Sequence, residues 1–269
     1  MSETQAPVRS QPSLFIPHGG GPCFFMPDPQ GTWTNMAAYL RGLVASLPEK
    51  PRAILVVSGH WEERAFAFTG TERPGLIYDY YGFPPETYRL EWPAPGAPWL
   101  AERGAVLLRE AGLPSAIDPQ RGFDHGVFVP LKVAFPDAEV PTVQMSLHAS
   151  LDPALHVAAG KALAPLRDEG VLVLGCGMSF HNLRAMGDPR VAGPSLEFDH
   201  WLADAAASAP DERAERLAQW ESAPWARLCH PREEHLIPLM VAGGASDAPG
   251  AHDYGELVLG GAVSAFRFG

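Results

Sequence analysis

Lysine is almost missing from this chain. Of its 269 residues only Lys50, Lys132 and Lys161 carry an ε-amino group, and with 20 Lys and Arg against 31 Asp and Glu the formal net charge is −11. A surface this acidic repels phosphate backbones and anionic lipid, and no run of Lys and Arg offers a local exception. Nucleic-acid and membrane-surface partners are therefore not expected. Long hydrophobic runs are missing too: no stretch approaches the ~18–20 apolar residues of a membrane span. Cysteine is scarce. Cys23, Cys176 and Cys229 are an odd number with no CxxC pair, which argues against a disulfide framework and a thiolate zinc site and fits a reducing cytoplasm. The polar start, Met1–Gln11, has no apolar signal core and reads as a short disordered arm over residues 1–11, ahead of one domain over residues 12–269.

Two nucleophile and phosphate signatures are also lacking. Ser58-Gly59-His60 is not GxSxG, and the glycines after His18 are followed by no GK[ST]. Cys176 stands five residues from His181, a spacing that does not make a nucleophilic pair.

What is present is a folded, loop-rich composition. Hydrophobic residues make up 46%, and the 27 Gly and 28 Pro fall short of the ~25–30% at which disorder becomes the default. Short apolar runs bounded by Gly or Pro read as buried strands: Ser13–Pro17, Ala53–Ser58, Thr142–Ser146 and Val171–Gly175, with weaker candidates at Phe66–Thr69 and Leu257–Val263. Helical patterns lie between them at Trp33–Leu47, Trp99–Ala111, Pro153–Asp168, Ser195–Ala207, Asp211–Gln219 and Glu233–Ala242, the third with Asp152 as N-cap and Pro153 at its first position. This alternation predicts a single α/β domain, a mixed central sheet with helices on both faces. The Pro/Tyr-rich stretch Arg73–Pro98 is either a functional loop or aromatic packing over a sheet edge.

Ten histidines stand out against this background. His18 follows SLFIP and precedes three glycines; His60 follows AILVVSG; His181 follows VLVLGCGMSF; His125 sits in RGFDHG; His235 sits in HPREEHLIPL, near the start of a predicted helix. Loops converge at strand ends, and imidazole is the commonest protein ligand for zinc and a usual one for iron. The pattern predicts a metal site assembled from several loops. His148, His156, His200 and His252 read as solvated, and His230 as a turn cap or a support for a ligand.

The segments FIPHGGGP, VVSGHWE, YDYYGFPPETYRLEWPAPG, RGFDHGVFVPL, VPTVQMSL, VLVLGCGMSFHNLR, HPREEHLIPL and the terminal AFRFG run in order from residue 13 to the C-terminus. In this they resemble the class III extradiol ring-cleaving dioxygenases, in the DOPA-dioxygenase-like branch. The resemblance implies a mononuclear metal, Fe(II) for activity with zinc found in some relatives, a catecholic substrate and O₂. It implies that His18 and His60 bind the metal with His235, that His125 faces the substrate, and that His181 is either the acid/base or a further ligand. Tyr81 and Phe83 are candidates to stack on the aromatic ring. Two departures stand out: Pro17 and three glycines flank His18 where many relatives have SHG, and Glu234 beside His235 offers the carboxylate that more distant class III enzymes use. His235 is preferred because adjacent side chains on a helix point about 100° apart. A zinc hydrolase on the same histidines is the rival reading. The expected state is a cytoplasmic monomer or small homo-oligomer.

Overall fold

Alternating burial decides the architecture. In Ala53–Val57 the side chains of Ala53, Leu55 and Val57 enter one apolar core while Ile54 and Val56 enter a second. The same split separates Phe15 from Leu14 and Ile16. Strands whose two faces are both apolar must be covered on both sides, which is the parallel-sheet signature. The computed structural model of the chain describes residues 9–269 and bears this out.

Among the described residues ten strands form: β1 (Ser13–Pro17), β2 (Ala53–Glu63), β3 (Phe66–Thr69), β4 (Leu76–Ile77), β5 (Ser115–Asp118), β6 (Phe123–Asp124), β7 (Thr142–His148), β8 (Val171–Gly177), β9 (Gly250–Val258) and β10 (Gly261–Phe268). Eight make a mixed sheet in the order β5-β3-β7-β2-β8-β1-β10-β9, with β7, β2, β8 and β1 parallel at its centre. β4 and β6 form a separate two-stranded parallel ladder. Helices Pro98–Glu110, Pro153–Leu163, Ala192–Ala207 and Ile237–Gly244 bury side chains in one core, and Thr34–Gly42 with His125–Ala134 chiefly cover the other. Among the described residues, no helix is long and apolar enough to cross a membrane.

Several expectations are corrected. Leu257–Val263 is not a strand but straddles a hairpin, with Leu259 and Gly260 both at positive φ as a two-residue turn requires. The helix expected over Pro153–Asp168 breaks after Leu163, because Pro165 supplies no N–H to continue it. The helix expected from Glu233 starts at Ile237. Helix His125–Ala134 has no counterpart among the helical patterns: Pro130 interrupts it and it is apolar nearly all round, so it shows little periodicity. Of the arm expected over residues 1–11, residues 1–8 lie outside the described residues. Gln11 is buried; its N–H donates to the Arg167 carbonyl (3.1 Å) and its Nε2 to that of Glu49 (3.2 Å).

Candidate metal centre and active site

The carboxyl ends of three neighbouring strands, β2, β8 and β1, carry the site. His18 is the first residue past β1, and its N–H donates to the Gly177 carbonyl at the end of β8 (3.2 Å). His60 lies within β2, which runs on to Glu63, where its pairing with β7 shifts register between Val57 and Glu62. That irregularity frees the Ser58–Trp61 backbone from β7, while Ser58 still pairs with Cys176 of β8, and re-aims the His60 ring. His235 precedes helix Ile237–Gly244 in a turn that lies directly on the sheet. A Cβ at Gly59 would come within 2.8 Å of the Glu234 carbonyl, and one at Gly175 or Gly177 would strike the backbone of Pro238 or His235. Glycine at those three positions lets the turn dock.

The Nε2 atoms of the three rings converge. His18 and His60 are 3.4 Å apart, His60 and His235 3.3 Å, and all three donors lie within 4.8 Å of one another. Metal–imidazole bonds of about 2.0–2.1 Å separate neighbouring ligand nitrogens by about 3.0–3.4 Å for angles from 90° to tetrahedral. The Nδ1 atoms face acceptors instead: Gly19 O for His18 (2.9 Å), Glu234 Oε1 for His235 (2.8 Å) and, at longer range, Asp79 Oδ2 for His60 (3.6 Å). An Nδ1–H so engaged leaves the Nε2 lone pair outward, as a ligand needs. Burial and the facing imidazoles hold His18 and His235 well below the ordinary imidazole range, although Glu234 works the other way on His235. Burial and His125 push His60 down to about 4, with Asp124 and Asp79 opposing. Neutral imidazoles aimed at one point fit a divalent transition metal.

Two further histidines border this cluster. His125 is the first residue of its helix, and its ring centroid lies 4.0 Å from that of His60 and 5.5 Å from that of His18. Both its backbone N–H (2.9 Å) and its Nδ1 (2.8 Å) meet Asp79 Oδ1. The β4–β6 ladder accounts for this contact. It pairs Ile77 with Asp124, setting Asp79 beside His125. His181 stacks on His235 with centroids 3.4 Å apart and planes inclined by 20°, and its Nδ1 is 3.3 Å from the same Glu234 Oε1 that His235 meets. Buried His230 meets the Ser179 carbonyl through Nε2 (2.8 Å), steadying the loop that leads to His181.

Glu234 stands apart from the converging Nε2 atoms, against the opposite edge of the His235 ring. The expected reason, helix geometry, does not apply, since residues 234 and 235 precede the helix. Burial alone would raise the Glu234 carboxyl, but hydrogen bonding from His181 and His235 holds it below the ordinary carboxylate range. The same contest at Asp79 is won by the hydrogen bonds from His125.

Among the aromatic candidates, Tyr81 is 88% exposed, whereas its neighbour Tyr80 is buried and stands edge-on to His125 at 5.6 Å. Phe83 packs on Tyr80 (5.5 Å) and lies against the Gly21 backbone, where a Cβ would come within 2.8 Å of its ring. The Pro/Tyr-rich stretch is ordered by its own hydroxyls: Tyr78 donates to Leu90 O and Tyr80 to Thr87 O, each at 2.6 Å. A cleft of about 500 Å³ opens beside His181, walled by Leu183, Arg184, Pro231, Arg232 and Glu234. Cys176 is buried, and burial followed by nearby Asp124 raises its thiol well above the usual range, so it supplies no thiolate. His156, expected in solvent, is buried and accepts a hydrogen bond from the His148 N–H at 3.0 Å.

Sequence patterns give no role to Asp79 or Asp124. Asp124 is fully buried, accepts from Ser58 Oγ (2.9 Å) and the Gln144 side-chain amide, and Ser58 Oγ in turn accepts from the His60 N–H (3.2 Å). Asp124 had a sequence signal in its place directly before His125, whereas Asp79 lies in a tyrosine-rich loop far from any histidine in sequence and had none.

A mixed α/β sheet carrying a cluster of neutral imidazoles at its carboxyl edge defines a non-haem metal enzyme. The chain belongs to the LigB family: residues 14–263 match the catalytic LigB subunit of aromatic ring-opening dioxygenase, and its activity is that of an extradiol dioxygenase. It is 40% identical to dioxygenase tasH of Hapsidospora irregularis over 255 residues, 87% of this chain and 78% of that one. It is 40% identical to the 4,5-DOPA dioxygenase extradiol of Portulaca grandiflora over 203 residues, 74% of each chain. The 4,5-DOPA dioxygenase extradiol of Escherichia coli (strain K12) is 36% identical over 243 residues, 88% of this chain and 85% of that one. The crystal structure of the uncharacterized protein JW3007 from Escherichia coli K12 superposes with a TM-score of 0.77 at 30% identity, covering 96% of this chain and all of that one. Family membership selects the oxygenase over the zinc hydrolase.

Proposed function

We propose that the chain is an Fe(II)-dependent dioxygenase that inserts both atoms of O₂ into a catecholic substrate and opens the ring next to the two hydroxyls. The observation that carries this reading is the convergence of three Nε2 atoms, with His18, His60 and His235 as the metal ligands and two further histidines at their border. A set of three protein ligands with open positions is what non-haem iron oxygen chemistry requires. Several relatives are named for action on DOPA, which supports a catechol.

Bound Fe(II) supplies Lewis acidity toward the phenolic oxygens and redox chemistry toward O₂. The protein supplies proton handling and positioning. With its Nδ1–H held by Asp79, His125 offers Nε2 as a base toward a substrate hydroxyl. His181, on the cleft side of His235, is the acid/base that takes a catechol proton and returns it as the ring opens. Tyr80 and Phe83 form an apolar wall that packs the ring and keeps water from it, and the cleft beside His181 accepts the ring substituent.

Anaerobic loading with Fe(II), followed by a panel of catechols under air, tests the reading. Oxygen uptake matched by a yellow ring-opened product supports it. Absence of uptake across the panel, with one Fe(II) bound per chain, would refute the catechol assignment.

A further inference from the structure

Among the described residues, five histidine rings and two carboxylates fall into three overlapping groups of potential ligands: His18–His60–His235, His60–Asp79–His125 and His181–Glu234–His235. Only the first is assembled from ring nitrogens that share no hydrogen bond with a carboxylate. In the other two the closest contacts, 2.8 Å between Asp79 Oδ1 and His125 Nδ1 and 2.8 Å between Glu234 Oε1 and His235 Nδ1, are hydrogen-bond lengths. The two nitrogens of an imidazole point to opposite sides of the ring. An oxygen seated against the Nδ1 of His235 therefore cannot also touch an ion held on its Nε2.

We propose that Asp79 and Glu234 are twin positioning residues, each carboxylate fixing the ring of one histidine that faces the metal and one that faces the substrate. This rests on the reading of the five histidines as the catalytic centre. Asp79 reaches His60 (3.6 Å) and His125 (2.8 Å); Glu234 reaches His235 (2.8 Å) and His181 (3.3 Å). Each pair crosses the boundary between metal side and substrate side, so neither carboxylate serves binding or proton transfer alone. The distances divide their duties. Glu234 lies closer to its metal-side ring, and Asp79 closer to its substrate-side ring, where it also accepts from the His125 backbone N–H. Both are themselves held. Arg232, which forms a two-armed ion pair with Glu62, approaches Glu234 Oε2 at 3.6 Å, and the β4–β6 ladder fixes the backbone on either side of the Asp79–His125 contact.

The consequence is one tautomer at His125 and His235, protonated on Nδ1 and bare on Nε2. Nitrogen-15 correlation spectra of the imidazoles in the metal-free wild-type protein read this without metal, substrate or turnover. Nδ1–H resonances for both rings are expected, and Nε2–H tautomers would overturn the proposal whether or not the protein turns out to act on catechols. Variants then separate the two duties. Glu234→Gln is expected to weaken Zn²⁺ binding by about 10–100-fold, while X-ray absorption of the Zn²⁺-loaded variant still counts three imidazoles and one metal per chain. Asp79→Asn is expected to change Zn²⁺ affinity only a few-fold, to release the His125 tautomer, and to lower kcat with little change in KM. Complete loss of Zn²⁺ by Glu234→Gln, with the thermal unfolding of the metal-free protein unchanged, would make Glu234 a ligand. Unchanged tautomers in Asp79→Asn would make its carboxylate incidental.

Discussion

Gly126 is the second residue of helix His125–Ala134 and is wedged between that helix and the His60 ring. A Cβ there would stand 2.6 Å from His60 Cδ2 and 3.2 Å from Asp124 Oδ1, and it would also strike Ser58 Oγ. Carbon atoms in ordinary contact keep about 3.5–4.0 Å, so Gly126→Ala must move the ring or the helix by roughly an ångström. Two terms oppose in stability. Alanine gains about 1 kcal/mol of helix propensity over glycine, and overpacking costs about 1–3 kcal/mol, leaving a net loss of about 0–2 kcal/mol. The function has no such offset. His60 is the shared neighbour in the Nε2 cluster, within 3.4 Å of both His18 and His235. Displacing it is expected to weaken Zn²⁺ binding by about 10–100-fold and, in the Fe(II) protein, to slow turnover by about 10²-fold. Calorimetric Zn²⁺ titration of the variant, beside thermal unfolding of its metal-free form, measures both. Zn²⁺ affinity within twofold of wild type would refute the argument that Gly126 sets the His60 position.

His125→Phe and His181→Gln should keep near-normal metal content while turnover falls by about 10²–10⁴, as measured by elemental analysis and oxygen uptake. Metal loss in His181→Gln comparable with that in His18→Ala would make His181 a ligand instead. Gly177→Ala drives a methyl group into the His235 carbonyl and should destabilise the fold by about 1–3 kcal/mol while loosening the metal; unfolding in urea reads the first and Zn²⁺ titration the second. Buried His156 accepts from the His148 N–H and meets the Asp152 carbonyl, so protonation would set two donors face to face, and burial pushes its pKa down to about 4. Because the unfolded chain takes up that proton near 6.5 and the native one near 4, the stabilisation is fully present above 6.5. It drains away as pH falls toward 4, by about 3 kcal/mol over the window. Urea unfolding at pH 7 and pH 5 should show a smaller pH-dependent loss in His156→Gln than in wild type; equal losses would contradict it.

The central strands were legible because parallel strands buried on both faces leave uninterrupted runs of Val, Ile and Leu, as in Ala53–Val57 and Val171–Leu174. The histidines were legible because three of the strand ends that carry them, at His18, His60 and His181, are flanked by glycines that announce close backbone approach. Other parts depended on long-range pairing. Asp79 is one acidic residue in a tyrosine-rich loop until the β4–β6 ladder brings it to His125, 46 positions along the chain. Tyr80 and Tyr81 are alike in composition, and only the course of the extended chain decides which faces inward. Helix His125–Ala134 was hidden by its own burial, and the ordering of Gln11 by Arg167, a residue far along the chain.

The most direct test of the central claim follows the oxygen atoms. Protein loaded with one Fe(II) per chain, given a catechol under labelled O₂, should release a ring-opened product carrying both labelled oxygen atoms. His18→Ala and His60→Ala should yield none, since they remove two of the three proposed ligands. A ring-opened product carrying no labelled atom, or a His18→Ala protein that opens the ring at the wild-type rate, would contradict the account.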